Sequence, residues 1–316
     1  MSGAELAQPQ GAAALHPGWP EARWNVSGLF VLDRVILGVL QLVEQRFAAR
    51  LPIESIHGAP AVPWNGGRRS HVFPTLQGMR DGIGLLNGLG IGVLFTFSNH
   101  RLTREHLGDP TCNRLLELID DGAGRNGVIV SSDLLAEYVA ERHPTLRRHA
   151  SAIKVTVEEG QGDAAYYAEL GARFDRYVVH PDDGFDAELL ARLDPERAEL
   201  LVNEPCVRGC RNRVRHYELI AAAQLAGRYD LELNEELTRH EQAVCRMPLR
   251  RPDERRQTAN LTRPELEAAY GAGLRHFKLQ GRTDLAPNFV FDLVRYALEP
   301  EHVGPLAFKA AMALPG

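Results

Sequence analysis

From Ile53 onward, short runs of β-branched and aromatic residues alternate with longer stretches in which apolar positions recur every three or four residues. The first kind reads as strand and the second as amphipathic helix, and their regular alternation predicts a parallel sheet built from β-α units. Seven strands are predicted: Ile53–Ala59, Gly92–Ser98, Gly127–Ser132, Ala152–Val157 (AIKVTV), Arg176–His180, Glu199–Asn203 and Arg275–Gln280. Between them lie helical patterns such as CNRLLELID, DLLAEYVAERH, DAAYYAELGARF and RPELEAAYGAG. Several open with Asp or carry Pro in the first turn, as helix starts prefer.

An eighth strand is expected either before Phe30 or near Leu306, which completes a (β/α)₈ TIM-barrel-like fold of the α/β class. An open doubly wound sheet fits less well, because no dinucleotide-type glycine fingerprint follows the first strand. The segment Leu29–Phe47 is apolar but carries Asp33, Arg34 and Glu44, so its uncharged run of nine residues falls far short of the ~20 a membrane span requires. It is predicted to be an amphipathic core helix. Residues 1–28, rich in Ala, Gln, Pro and Gly, are expected to form a flexible tail with no secretory signal. Residues 29–316 then form a single barrel domain, with long loops at 60–74 and 227–260.

Composition adds limits. The 316 residues are 44% apolar, enough for a large core, and a formal net charge of -5 with pI near 6.2 gives no nucleic-acid footprint. The arginine-rich stretch 246–256 (RMPLRRPDERR) is broken by acids and prolines and reads as a solvated loop. Four cysteines without a targeting segment point to a reducing cytoplasm, where thiols are ligands or core fillers.

If the fold is a barrel, the residues that close its strands line the active-site face. They include His57, Asn99, His180, Asn203, Glu204, Lys278, Gln280 and Arg282. His57, His180 and Lys278 can move protons or neutralise an anion, and Glu204 can accept a proton. Asn99, Asn203 and Gln280 are candidate substrate-binding residues. The NGGRR run Asn65–Arg69 adds a glycine pair and the guanidinium of Arg68, suited to a carboxylate or phosphate.

Cys206 and Cys210, four residues apart, follow the predicted strand Glu199–Asn203, and Cys245 lies in the long segment beyond. Three thiolates meeting at the barrel mouth suit a 4Fe-4S cluster with one iron open. Zinc is the alternative, with His216 or His240 as fourth ligand, and unliganded core cysteines are a third reading. A radical-SAM cluster is disfavoured, since its third cysteine position is Arg213. Cys112, at the start of a helix after the second predicted strand, is expected to be structural.

The run NEPCVRGCRNRVRHY, the strand motif FKLQGR and the barrel rhythm resemble the collagenase-like peptidase family, unassigned-type peptidase family 32. Lys278, Gly281 and Arg282 match its Lys-x-x-Gly-Arg element. The resemblance implies a 4Fe-4S cluster near the barrel mouth, oxygen-independent hydroxylation as one family activity, and assembly with a protein partner in some members. The family's cysteine-rich segment does not align residue by residue. Classical protease activity is not expected, because the chain has no GxSxG, no HExxH and no cysteine visibly paired with an activating histidine. The combined expectation is a cytoplasmic iron-sulfur oxidoreductase or lyase acting on a small anionic metabolite. Cys206, Cys210 and Cys245 hold the cluster, while Lys278, Arg282 and Arg68 hold a carboxylate. A zinc barrel enzyme and a non-catalytic iron-sulfur subunit of a two-protein complex are the alternatives.

Overall fold

A computed structural model describes residues 19–67, 74–227, 230–243, 258–281 and 286–313. Ten strands are present among them: β1 Arg23–Ser27, β2 Ile53–Gly58, β3 Gly92–Phe97, β4 Gly127–Val130, β5 Arg147–Ala150, β6 Arg176–Val179, β7 Ala198–Leu201, β8 Asn203–Val207, β9 Thr258–Asn260 and β10 His276–Leu279. Eight of these, all parallel, close a barrel in chain order from β1 to β7, with β10 fitted between β7 and β1. The remaining two, β8 and β9, pair antiparallel as a small ladder of their own.

The eighth strand is therefore the one before Phe30. Segment 23–27, expected within the flexible tail, is β1, hydrogen-bonded to β2 on one side and β10 on the other. Leu306, the other candidate position, lies in the helix Pro300–Ala313.

Two layers are visible in the strand pattern. One set of alternate residues, including Trp24, Val26, Ile56, Val93, Phe95, Val128, Leu200 and Phe277, joins the main apolar core together with the helices outside. The other set faces the barrel axis and is unusually polar: Asn25, Ser55, His57, Arg147, His149, Arg176, Glu199, His276 and Lys278. At the N-terminal end of the barrel, Arg176 grips Glu54 with both guanidinium nitrogens, and Arg147 and His276 approach the same carboxylate at 3.6 and 3.4 Å. Burial opposes the charge on Glu54, but His276 and Arg176 outweigh it and hold this carboxyl far below the usual range.

This polar interior explains the one misplaced strand. AIKVTV is β-branched yet forms the helix Ala152–Glu158, capped by Ser151. Its Lys154 is buried between Asp133, at 2.8 Å, and Glu158 one turn on. The fifth barrel strand is instead Arg147–Ala150 (RRHA), whose inward positions, Arg147 and His149, carry polar groups rather than hydrocarbon.

The helix Asp33–Phe47 forms as expected and buries Ile36, Val39, Val43 and Phe47 at spacings of three and four. Among the described residues no helix is long and apolar enough to cross a membrane. The expected loop 227–260 holds the helix Leu231–Ala243 and strand β9. Leu237 and Leu233 of that helix pack on Leu219, Ile220 and Ala223 of the helix Arg213–Ala226, so the segment has a small core of its own.

Candidate functional site

The carboxyl ends of the strands open into a cavity of about 550 Å³. Its floor is made by Ser27, His57, Thr96, Val178, Leu201 and Lys278, and its rim by Asn203, Glu204, Cys206, His216 and Gln280. Buried polar atoms in proteins are nearly always hydrogen-bonded. Here Ser27 Oγ, Thr96 Oγ1 and Lys278 Nζ are buried, have no hydrogen-bond partner among the described residues, and all belong to residues that line this cavity.

Beneath the floor runs a chain of polar contacts. Lys278 Nζ lies 3.7 Å from Glu199, which is 0% exposed. The Asn25 amide donates to the same carboxylate at 2.7 Å, and His57 Nδ1 is 2.8 Å from Asn25 Oδ1. A carboxylate only accepts, so Asn25 must turn its NH₂ toward Glu199 and its oxygen toward His57. His57 Nδ1 therefore carries the proton, and in the neutral ring Nε2 carries the lone pair.

Burial raises the Glu199 carboxyl, yet the charges of Lys278, His149 and Arg176 prevail and hold it below its ordinary value. For Lys278 burial prevails over Glu199, and the amine is less basic than usual. His149, deep in the barrel, is pulled down to about 4, by burial foremost.

At the rim, Asn203 clamps the end of β10. Its amide donates to Gln280 O at 2.8 Å and to Asp292 at 3.1 Å, and its oxygen accepts from Gln280 N at 2.8 Å. Gln280 Nε2 in turn donates to Glu204, whose other oxygen accepts from Cys206 N at 2.9 Å. Cys206 closes this line and faces the cavity. Gly209, with φ of +61°, turns the chain between Cys206 and Cys210. The two thiols remain unlinked but lie close enough to interact. Cys206 is pushed up to about 12, by burial first and then by Glu204 and Cys210, against the pull of Arg213.

Arg213 ties this loop to the barrel. Its guanidinium donates to Asp182 at 2.8 Å, to His180 Nε2 at 2.9 Å and to Val207 O at 3.1 Å. His180, expected as an acid-base group, stands behind Arg213 as a strut, and burial with that guanidinium lowers it to about 4. Asn99 is also a strut: it donates to Pro63 O and Ala221 O, accepts from Arg101 N, and does not line the cavity. In the NGG turn the close approach is to protein, since a Cβ on Gly66 would lie 2.0 Å from Ser98 O. Cys112 is fully buried in the core, as expected of a structural thiol.

Arg68, Arg282 and Cys245 lie outside the described residues. Among those described, no three His, Cys, Asp or Glu side chains are grouped to hold a metal. The His216 and His240 rings are 5.7 Å apart, with His216 Nε2 directed to Glu241 at 3.1 Å. Sequence reasoning thus placed His57, Asn203, Glu204, Cys206, Lys278 and Gln280 on one cavity. It missed Asn25, Ser27, Thr96 and Glu199. For Asn25 and Ser27 the signal was a polar residue at every second position, as in W-N-V-S, whereas Thr96 and Glu199 are single polar residues in apolar strands and gave no such pattern.

No protein-family model matches the chain, and no curated protein matches it. Among solved structures, it superposes on the U32 peptidase Mk0906 with a TM-score of 0.51, covering 89% of this chain and 96% of that one, at 11% sequence identity. At that identity the likeness is one of architecture, and the chain shares the barrel fold of a U32 peptidase.

Proposed function

We propose that this chain is an enzyme whose barrel mouth takes a small anionic metabolite beside a 4Fe-4S cluster held by Cys206, Cys210 and Cys245. The observation that carries the substrate site is the convergence of Ser27 Oγ, Thr96 Oγ1 and Lys278 Nζ, buried and without hydrogen-bond partners among the described residues, on a cavity that Cys206 also lines. The donor chemistry fits a metal group at the rim. Burial, Glu204 and Cys210 all oppose a thiolate at Cys206, and a bound cation relieves that opposition. A cluster on three cysteines supplies electrons and one iron open to an external ligand.

The chain's own residues bind and hold protons. The Lys278 ammonium attracts a carboxylate into the cavity, and the Ser27 and Thr96 hydroxyls donate to it. His57, its tautomer set through Asn25, accepts a proton at Nε2. Glu204 and Gln280 brace the Cys206 backbone, and Arg213 braces the turn that follows.

The test is metal and acid-labile sulfide content of protein purified anaerobically, with an electron paramagnetic resonance spectrum. Iron and sulfide in equal amounts, lost in Cys206→Ala and Cys210→Ala, is the expected result. Zinc without iron in folded protein overturns the cluster and favours a zinc barrel enzyme. A second chain that follows a tag on this one through purification from its native host, with activity only in the pair, would mark it as an accessory subunit.

A further inference from the structure

Lysine is almost absent from this chain. Of its 36 basic residues other than histidine only three are lysines, Lys154, Lys278 and Lys309, and the rest are arginines. At Glu54, Asp182, Glu265 and Asp292 the cation that pairs with the carboxylate is arginine. Lys154 is a structural cation between two carboxylates, and Lys309 is exposed on the last helix. Lys278 is the third, 8% exposed near the end of β10 on the cavity floor.

An amine differs from a guanidinium in one chemical respect: it can lose a proton near neutral pH and become a nucleophile. The site makes that form easier to reach. Glu199 stands 3.7 Å from Nζ, near enough to take its proton but without a hydrogen bond, and Nζ has no other partner among the described residues. Burial makes the ammonium easier to deprotonate.

We infer that Lys278 forms a covalent imine with a small oxo acid bound in the mouth cavity. Glu199 takes one proton from the ammonium, the freed nitrogen adds to the carbonyl carbon, and a second proton passes from that nitrogen to the carbonyl oxygen. Glu199 returns the proton to the resulting hydroxyl, which departs as water, so that ammonium plus carbonyl gives protonated imine plus water with no oxidant or reductant consumed. The Ser27 and Thr96 hydroxyls face the same cavity and donate to the carboxylate beside the carbonyl. The inference deepens the proposed function by naming its substrate class. It rests on the mouth cavity as the substrate site and does not depend on the cluster.

The paucity of lysine makes the test direct. Folded full-length protein is incubated with glyoxylate, pyruvate or 2-oxobutyrate, reduced with borohydride, digested and mapped by mass spectrometry. Adducts can form only at Lys154, Lys278, Lys309 and the α-amino group. Since a less basic amine holds more of its free form at neutral pH, Lys278 should carry more adduct than the exposed Lys309. Labelling at Lys278 should disappear in Lys278→Arg while labelling at Lys309 stays unchanged. Adduct confined to Lys309 and the α-amino group, or none at Lys278 with any of the three probes, overturns the inference. Either result leaves the iron and sulfide measurement untouched, so the two proposals fail separately.

Discussion

Glu199 shows how much one side chain settles here. It is the second residue of an otherwise apolar strand, yet it is fully buried, and its charge is held by Lys278, Asn25 and more distant cations. Removing its charge alone strands a buried ammonium, so Glu199→Gln should cost about 3–5 kcal/mol of stability, measured by urea denaturation. The double variant Glu199→Gln with Lys278→Met should recover most of that loss, because nothing buried is then left uncompensated. Equal destabilisation by single and double variants would mean that the pair does not interact. Arg213 makes the same point at the rim. Arg213→Lys keeps the charge but cannot reach Asp182, His180 and Val207 O together, and should lower stability by about 1–3 kcal/mol in the same assay.

At the scale of elements, the sequence was readable where strands follow the usual rule and unreadable where they invert it. β3, β4 and β6 present apolar runs and were placed within a residue or two, as was β2, whose Ile53 and Ile56 stand among polar residues. β1 was expected only as one of two positions for the eighth strand and β5 was missed, since RWNVS and RRHA turn Asn25, Ser27, Arg147 and His149 to the axis and leave few apolar residues, with Ala150 alone in RRHA. The AIKVTV error has the same root, because β-branching was weighed above the Ser151 cap and the Lys154–Glu158 pair one turn apart. β1 as a barrel strand makes a sharp prediction about the amino-terminal segment. A chain beginning at residue 29 loses both ladders of β1 and should fail to give a cooperative thermal transition by circular dichroism, whereas one beginning at residue 19 should retain it. The helix Arg263–Gly271 begins with a capping box between Thr262 and Glu265, so Thr262→Ala should cost about 1 kcal/mol.

For the whole molecule, the polar barrel axis couples stability to pH. His149 titrates near 4 in the fold against about 6.5 in an unfolded chain, so between these values the unfolded state binds a proton that the native state does not. Stability should therefore be full above pH 6.5 and fall as pH drops toward 4, by up to about 1.4 kcal/mol per pH unit from this group. His149→Phe should flatten that slope in urea titrations at several pH values. The candidate site was legible in part for the same reason. Residues at strand ends declared themselves, while the layer below them, Asn25 and Glu199, was hidden because barrel interiors are ordinarily hydrocarbon.

The placement of β10 between β7 and β1 bears on how the protein is made. As the nascent chain leaves the ribosome, β1 to β7 can assemble in order into a curved sheet with two raw edges. Among the described residues only His276–Leu279 pairs with both, so closure waits until that strand has been synthesised. Lys278 arrives on that last stave, and the pocket comes into being at the moment of closure. A translation product halted before residue 276 keeps unsealed edges that invite pairing with its copies.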